Sequence, residues 1–170
     1  MKRKIFSCLS LIMLVVMVIG CGRVEEKSKS SINLEKGKFS IVCSAGETDE
    51  GTMKIKTVTT YNFNEDQYAI NYSVVTTQKF KDKSVYKTYK EAQEETVKGT
   101  SETVVYDLES DDKAKTLVFT MAITKIDLNN VENDEEKERL KASSVLKNTE
   151  GNTDAKYTCK VYGIDRSELQ

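Results

Sequence analysis

The chemistry open to this chain is limited first by a missing residue type. Among 170 residues there is no histidine, which excludes Ser-His-Asp triads, Cys-His pairs and imidazole metal sites. The side chains that remain for chemistry are chiefly four cysteines, 27 carboxylates and eight tyrosines. The 26 basic residues nearly balance the acidic ones, giving a net charge of −1, so we expect no nucleic-acid partner.

The N-terminus has the layout of an export signal. Basic residues at positions 2–4 precede an uncharged apolar stretch, residues 5–19, and Gly20 then stands before Cys21. As a helix the stretch is about 23 Å long, which is short of the ~30 Å hydrocarbon core of a bilayer. It therefore suits a secretory signal better than a permanent membrane span.

Residues 18–21, Val-Ile-Gly-Cys, resemble the lipobox of bacterial lipoproteins. The resemblance implies that the sulfur of Cys21 receives a diacylglyceryl group and that signal peptidase II cleaves between Gly20 and Cys21. We therefore predict a signal peptide over residues 1–20, and a lipidated cysteine with a flexible tether over residues 21–37. The lipid on Cys21 would hold the protein on the outer, extracytoplasmic face of the cell membrane. An uncleaved anchor helix, or an ordinary signal in which Cys21 is incidental, are the alternatives.

Two cysteines are left once the signal and the lipid site are set aside. Cys8 lies within the signal, whereas Cys43 and Cys159 lie near opposite ends of the remaining chain. In an exported protein such a pair favours a structural disulfide, here closing a loop of about 117 residues. Two free thiols, or a redox or metal-binding pair, are the alternatives, although the chain has no Cys-x-x-Cys spacing.

Three weaker patterns bear on catalysis and metal binding. Residues 107–112 have the alternating oxygen ligands of a calcium loop but lack its glycine. Ser84 and Lys87 have Ser-x-x-Lys spacing, but they fall where a helix is predicted to begin and capping accounts for the serine. Paired carboxylates alone would suffice for a glycosidase. We expect neither enzyme activity nor a metal or cofactor, and keep a carboxylate-based hydrolase as the less favoured alternative.

Tyrosine is the most frequent aromatic residue and supplies the candidate binding surface. Tyrosines combine a large apolar ring with a hydroxyl, and they are enriched where proteins meet partners. The four candidates are Tyr68, Tyr72, Tyr86 and Tyr89. The alternative is that these are half-buried core residues whose hydroxyls contact water.

Strands are predicted where apolar and polar residues alternate. Residues 39–43, 53–63 and 68–80 alternate in this way, and a turn-like Asn-Glu-Asp-Gln separates the two longer segments. Their apolar faces coincide in a hairpin that places Tyr61 opposite Ile70.

The remaining elements complete the predicted fold. They are a helix over 82–99 capped by Asp82 or Ser84, strands over 102–108 and 115–126 around an acidic turn at 109–112, a peripheral charge-rich helix over 131–147, a loop over 148–154, and a final strand over 157–161. Hairpin connections imply an α+β fold: a mainly antiparallel sheet with one or two helices packed on one face. We assign residues 38–170 to this single domain.

Taken together, the motifs resemble small lipoproteins of low-GC Gram-positive bacteria, related to the YehR-like lipoproteins. The residues that carry the resemblance are Cys21 with its lipobox, the Phe-x-x-x-Cys of Phe39 to Cys43, the strand pair 53–80, the tyrosine-bearing helix 83–98 and the Tyr-Thr-Cys-Lys of 157–160. The resemblance implies a location and a fold, and it brings no mechanism. We expect a non-catalytic binding or interaction module of the cell envelope, whose partner is an envelope protein or a small ligand. A solute-binding accessory lipoprotein is the alternative.

Overall fold

A computed structural model describes residues 32–131, 133–153 and 156–169 of the chain. The predicted signal peptide, Gly20, Cys21 and most of the predicted tether lie outside the described residues. The strands are β1 Phe39–Ala45, β2 Thr48–Asp49, β3 Met53–Phe63, β4 Ala69–Phe80, β5 Val104–Asp111, β6 Thr116–Ile123 and β7 Tyr157–Tyr162. The helices are α1 Lys83–Val97, α2 Asp134–Arg139 and α3 Ala142–Glu150, with 3-10 turns at Leu128–Asn130 and Arg166–Glu168.

The strands form one antiparallel sheet in the order β5-β6-β4-β3-β1-β7, and the short β2 pairs with the beginning of β3. Alternation in the sequence accounts for the strands: along β1 every second residue is buried, from Phe39 to Ala45. The predicted α+β fold with a mainly antiparallel sheet is confirmed.

The two longer helices, α1 and α3, pack on the same face of the sheet. Phe63 lies opposite Phe39, and Met53 lies opposite Phe80. Because Met53 and Phe63 are an even number of positions apart on β3, both pairs project to one face. Val145 and other α3 residues bury the first pair, whereas Tyr86 of α1 packs against the second. We call this side the helix-bearing face.

The β3–β4 hairpin has a register that differs from the predicted one by two residues. Tyr61 pairs with Tyr72 and not with Ile70. The loop is longer than expected because the Asn64 side chain accepts a hydrogen bond from the Tyr68 amide, 2.9 Å away, and keeps Tyr68 out of the ladder. The shift of two residues keeps the predicted faces from Met53 to Asn62, but a β-bulge after Asn62 pairs Phe63 with Ala69 and brings Ala69 into the core.

The turn between β5 and β6 comes later than predicted. Glu109 and Asp111 pair with β6 instead of forming the turn. An Asp111 carboxylate oxygen accepts hydrogen bonds from the amides of Lys113 and Ala114, each 2.9 Å long, and Lys115 adopts a left-handed conformation with φ 52°. The carboxylate thus closes a turn over residues 112–115, three residues later than the predicted acidic tetrad at 109–112.

The predicted charge-rich helix is two helices, and the second one is part of the core. Lys141 is extended, with ψ 144°, and separates α2 from α3. The break lets the Leu140 carbonyl accept a hydrogen bond from the Ala69 amide, and the Gln67 carbonyl accept one from the Ala142 amide. The prediction of a peripheral helix was wrong for α3, because Ala142, Val145 and Leu146 are buried. Helix α3 also extends into the predicted loop, ending at Glu150.

Candidate functional site

The four predicted tyrosines lie in three separate places. Tyr68 is in the β3–β4 loop, Tyr72 is on β4, and Tyr86 and Tyr89 of α1 both pack against Phe80. Tyr72 and Phe80 are eight residues apart on one strand, or about 26 Å. The structure therefore brings Tyr86 and Tyr89 together, and it separates them from Tyr72 and Tyr68.

Tyr86 fastens α1 to the β5–β6 turn. Its ring is 3% exposed, and its hydroxyl donates to Asp112 Oδ1 over 2.5 Å. The ammonium of Lys90, one helical turn away, donates to the same oxygen over 2.8 Å and lies 5.9 Å from the Tyr86 ring. Burial and the Asp112 carboxylate raise the pKa of the Tyr86 hydroxyl. These contacts give Tyr86 a structural role at the helix–hairpin contact.

Replacing Asp112 with asparagine is expected to reduce the loss of stability in acid. Hydrogen bonds from Lys90 and Tyr86 lower the pKa of Asp112 below its ordinary value of 3.8. A carboxyl whose pKa is lower in the folded state than in the unfolded state stabilises the fold at pH values above its unfolded-state pKa. This contribution disappears as the pH falls through its folded-state pKa. Urea unfolding from about pH 6 to about pH 2 should show wild type losing more stability than Asp112→Asn.

A suitable control is Glu109→Gln, which removes the same formal charge from an exposed residue of β5. It should follow the wild-type curve in acid. Parallel curves for wild type and Asp112→Asn would contradict the role assigned to the carboxylate.

Tyr68 joins the β3–β4 loop to the junction of α2 and α3. It forms an isolated antiparallel bridge with Lys141. The ammonium groups of Lys137 and Lys141 lie 5.8 and 5.7 Å from the centre of its ring, within the range of a cation–π interaction. Tyr68 therefore has local partners that account for its position.

Tyr72 belongs to a group of aromatic rings on the helix-bearing face. Its ring centre is 5.5 Å from that of Tyr61, and on the neighbouring strands Tyr106 and Phe119 are stacked 5.9 Å apart. We call these four residues the aromatic band. Tyr72, Tyr106 and Phe119 are half-buried and belong to neither buried helix cluster. The alternation of aromatic residues was visible in the sequence, but their adjacency depends on the register of four strands.

Burial raises the pKa of two hydroxyls of the band, those of Tyr61 and Tyr72. It raises the pKa of Tyr61 to about 12, with further increases from the neighbouring Tyr72 and Tyr157 hydroxyls. Burial, followed by the nearby Tyr106, raises the pKa of Tyr72 as well. Tyrosine hydroxyls are uncharged at neutral pH, so the band combines groups that can donate and accept hydrogen bonds with ring surfaces that can stack on a partner.

A pair of amides lies between α1 and β4. Gln93 Nε2 donates to Gln78 Oε1 over 2.7 Å. Gln93 Oε1 is buried, and within the described part of the chain it has no hydrogen-bond partner. A buried carbonyl left without a donor costs about 1–3 kcal/mol, so this contact contributes little net stability.

Cys43 and Cys159 are directly opposite each other on β1 and β7. Their sulfur atoms are 2.09 Å apart, which is bonding distance, and the two residues are 0% and 5% exposed. They lie in the cluster that buries Val145 and Leu146 of α3. Of the three interpretations of the pair, the structure agrees with the disulfide.

The acidic and serine patterns have structural explanations. Asp107 and Asp112 cannot converge as calcium-loop ligands do, since Asp107 is within β5 and Asp112 bonds Lys90. The Ser84 hydroxyl donates to Asp82, which caps α1. Over residues 32–131, 133–153 and 156–169, no three cysteine or carboxylate side chains are placed to hold a metal. Among the helices formed by these residues, none is long and apolar enough to cross a membrane.

One surface depression, of about 460 Å³, lies beside the start of β1 and away from the aromatic band. Its lining residues are Lys38, Phe39, Glu65, Gln67, Ile164 and Glu168. Only Phe39 and Ile164 of these are apolar, so the depression lacks the mostly apolar lining of a small-molecule site.

Comparisons with known proteins leave the family open. No family model matches the chain, and no curated protein matches it. Among solved structures it is similar to an NMR structure of the protein from Streptococcus pneumoniae TIGR4, with 15% identity and a TM-score of 0.38. The match covers 83% of this chain and 99% of that chain. This level of likeness carries no argument about function.

Proposed function

We propose that this protein is a lipoprotein of the bacterial cell envelope that acts by binding a partner on the outer face of the membrane. The order of features along the chain carries the proposal. An export-type leader ends at Gly20-Cys21, and the domain that follows has its first and last strands joined by Cys43 and Cys159. Disulfides persist outside the reducing cytoplasm, so the leader and the cysteine pair support the same location.

The entry of the chain into the domain supports an orientation. The Glu35 carbonyl accepts a hydrogen bond from the Asn71 side chain, and the Lys38 amide donates to the Phe63 carbonyl. Gly37 allows this close approach, because a Cβ there would lie 2.3 Å from the Phe63 oxygen. Asn71 pairs with Asn62, which follows Tyr61 on β3. Because successive residues of a strand point to opposite faces, Asn71 projects from the face opposite the helices.

The same geometry favours a membrane-distal position for the helix-bearing face. Attachment from the opposite face leaves the aromatic band pointing away from the lipid. Its rings and neutral hydroxyls suit a partner with stacking groups and hydrogen-bonding groups, such as an exposed segment of an envelope protein.

Photocrosslinking in intact cells tests the binding role. p-Benzoylphenylalanine at position 119 places a reactive group in the aromatic band, and the same residue at Val118 places it on the opposite face of β6. We expect position 119, and not position 118, to form an adduct in the membrane fraction. A large mass shift would identify a protein partner, and a small one would identify the solute-binding alternative.

The result that would overturn the binding role is equal labelling at the two positions, or none at either. Recovery of the unlabelled protein from the cytosol would overturn the location. Crosslinking tests the binding role and cell fractionation tests the location, so either one can fail without the other.

A further inference from the structure

The two edges of the sheet differ in how their backbone groups are satisfied. At the β5 edge, the Thr100 hydroxyl accepts a hydrogen bond from the Tyr106 amide over 3.1 Å and donates to the Tyr106 carbonyl over 3.4 Å. The Ser101 hydroxyl accepts one from the Val104 amide over 3.0 Å. Side chains that occupy outward backbone groups in this way prevent another strand from adding there.

The β7 edge has outward backbone groups at identifiable positions. The Cα atoms of Cys43 and Cys159 are 4.0 Å apart, the short spacing of a non-hydrogen-bonded pair in an antiparallel ladder. The amides and carbonyls of Tyr157, Cys159 and Val161 therefore point away from β1. Within the described residues, no strand or helix pairs with this side of β7.

We propose that β7 pairs antiparallel with β7 of a second copy of this chain, with Cys159 at the two-fold axis. In this register Tyr157 lies opposite Val161 of the second copy, and Thr158 lies opposite Lys160. Aromatic residues pair well with β-branched ones across strands. The alternative register centred on Lys160 would place two lysines opposite each other, which is unfavourable. The outward groups supply about six hydrogen bonds across the interface.

The point at which the chain enters the domain favours a second copy over an unrelated strand. A two-fold axis perpendicular to the sheet keeps the faces of both copies aligned. Both chains then enter from the face that carries Asn71, so both anchors reach one membrane. This step rests on the proposed lipid anchoring. Confinement to a membrane also raises the effective concentration of the two edges, so a modest interface suffices.

Cysteine crosslinking of the full chain in membranes tests the β7–β7 pairing. Thr158→Cys places two thiols with Cα atoms about 8 Å apart across the axis, within reach of a short bismaleimide. We expect a covalent dimer on a denaturing gel. Glu109→Cys is the matched control, since it is exposed on β5, the strand at the other edge of the sheet, and it should give at least about tenfold less dimer.

A second pair of variants tests whether backbone hydrogen bonds form the interface. In the Thr158→Cys background, Val161→Pro removes one outward amide, whereas Val161→Thr keeps it. The outward amide does not pair with β1, so the proline variant should fold and retain its disulfide. The amount of crosslinked dimer should fall roughly tenfold. Val161→Thr should crosslink as the parent does.

Three results would overturn the proposed dimer: no crosslink at Thr158→Cys, equal crosslinking at Glu109→Cys, or a crosslink unaffected by Val161→Pro. The parent chain without an added cysteine reports separately on the anchor. If Cys21 is lipidated, its sulfur cannot react, so crosslinking of the parent would show that the lipid is missing. In that case the excess of dimer in Thr158→Cys over the parent decides the pairing.

Discussion

Replacing Cys21 with serine is expected to abolish palmitate labelling and to leave the precursor uncleaved. The lipobox resemblance implies a thioether on the Cys21 sulfur, and a serine hydroxyl does not provide that atom. Each buried methylene contributes about 0.8 kcal/mol to membrane binding, and stable anchoring needs more than one acyl chain. Losing the lipid should therefore remove membrane attachment through acyl chains. Metabolic labelling and gel mobility measure the two effects.

Cys8→Ser is the matched control, because Cys8 lies in the same leader, within the apolar stretch. Its labelling and processing should equal those of wild type. If Cys21→Ser is still labelled and processed like the control, the lipid anchor on Cys21 is wrong.

Removing both cysteines of the domain is expected to destabilise it by about 2–5 kcal/mol. The bond between Cys43 and Cys159 spans 116 residues, so it restricts the unfolded chain strongly; the chain-entropy model gives about 4–5 kcal/mol for a loop of this length. Cys43→Ala with Cys159→Ala is the suitable variant, because alanine adds no polar group at these buried positions. Urea unfolding at constant pH measures the difference.

Wild type unfolded in the presence of reductant is the control, and its stability should fall to that of the double variant. Thiol titration under non-reducing denaturing conditions gives an independent measure, in which neither domain cysteine should react. Free sulfhydryls at both positions, or a double variant as stable as wild type, would rule out a stabilising disulfide.

Local sequence was sufficient to predict α1 and six of the seven strands, but not the two-residue β2. Alternation from Phe39 to Ala45 coincides with alternating burial in β1. Asp82 caps α1 by accepting hydrogen bonds from the Ser84 and Val85 amides, as a residue of this type before an amphipathic segment indicates. Such features depend on neighbours a few residues apart, so the sequence displays them directly.

The pairing of strands and the division of the acidic helix could not be predicted in the same way. Hydrogen bonding of Tyr68 to Asn64 decides the hairpin register, and the extended Lys141 divides the helix so that Leu140 can bond Ala69. High helix propensity over the acidic stretch gave no indication of that break. Contacts with another part of the chain outweighed local preference at both places.

Residue order alone was thus enough to predict the alternating strands, the capped helix and the eligible cysteine pair, since each depends on short-range spacing or on counting; the export-type leader stays a prediction. Only the tertiary structure decided that Tyr72 joins Tyr61 rather than the tyrosines of α1, and that Cys43 lies directly opposite Cys159. These adjacencies join residues distant in sequence. They depend on the register of several paired strands. That register is the one in which the apolar face is buried and the loop hydrogen bonds also form.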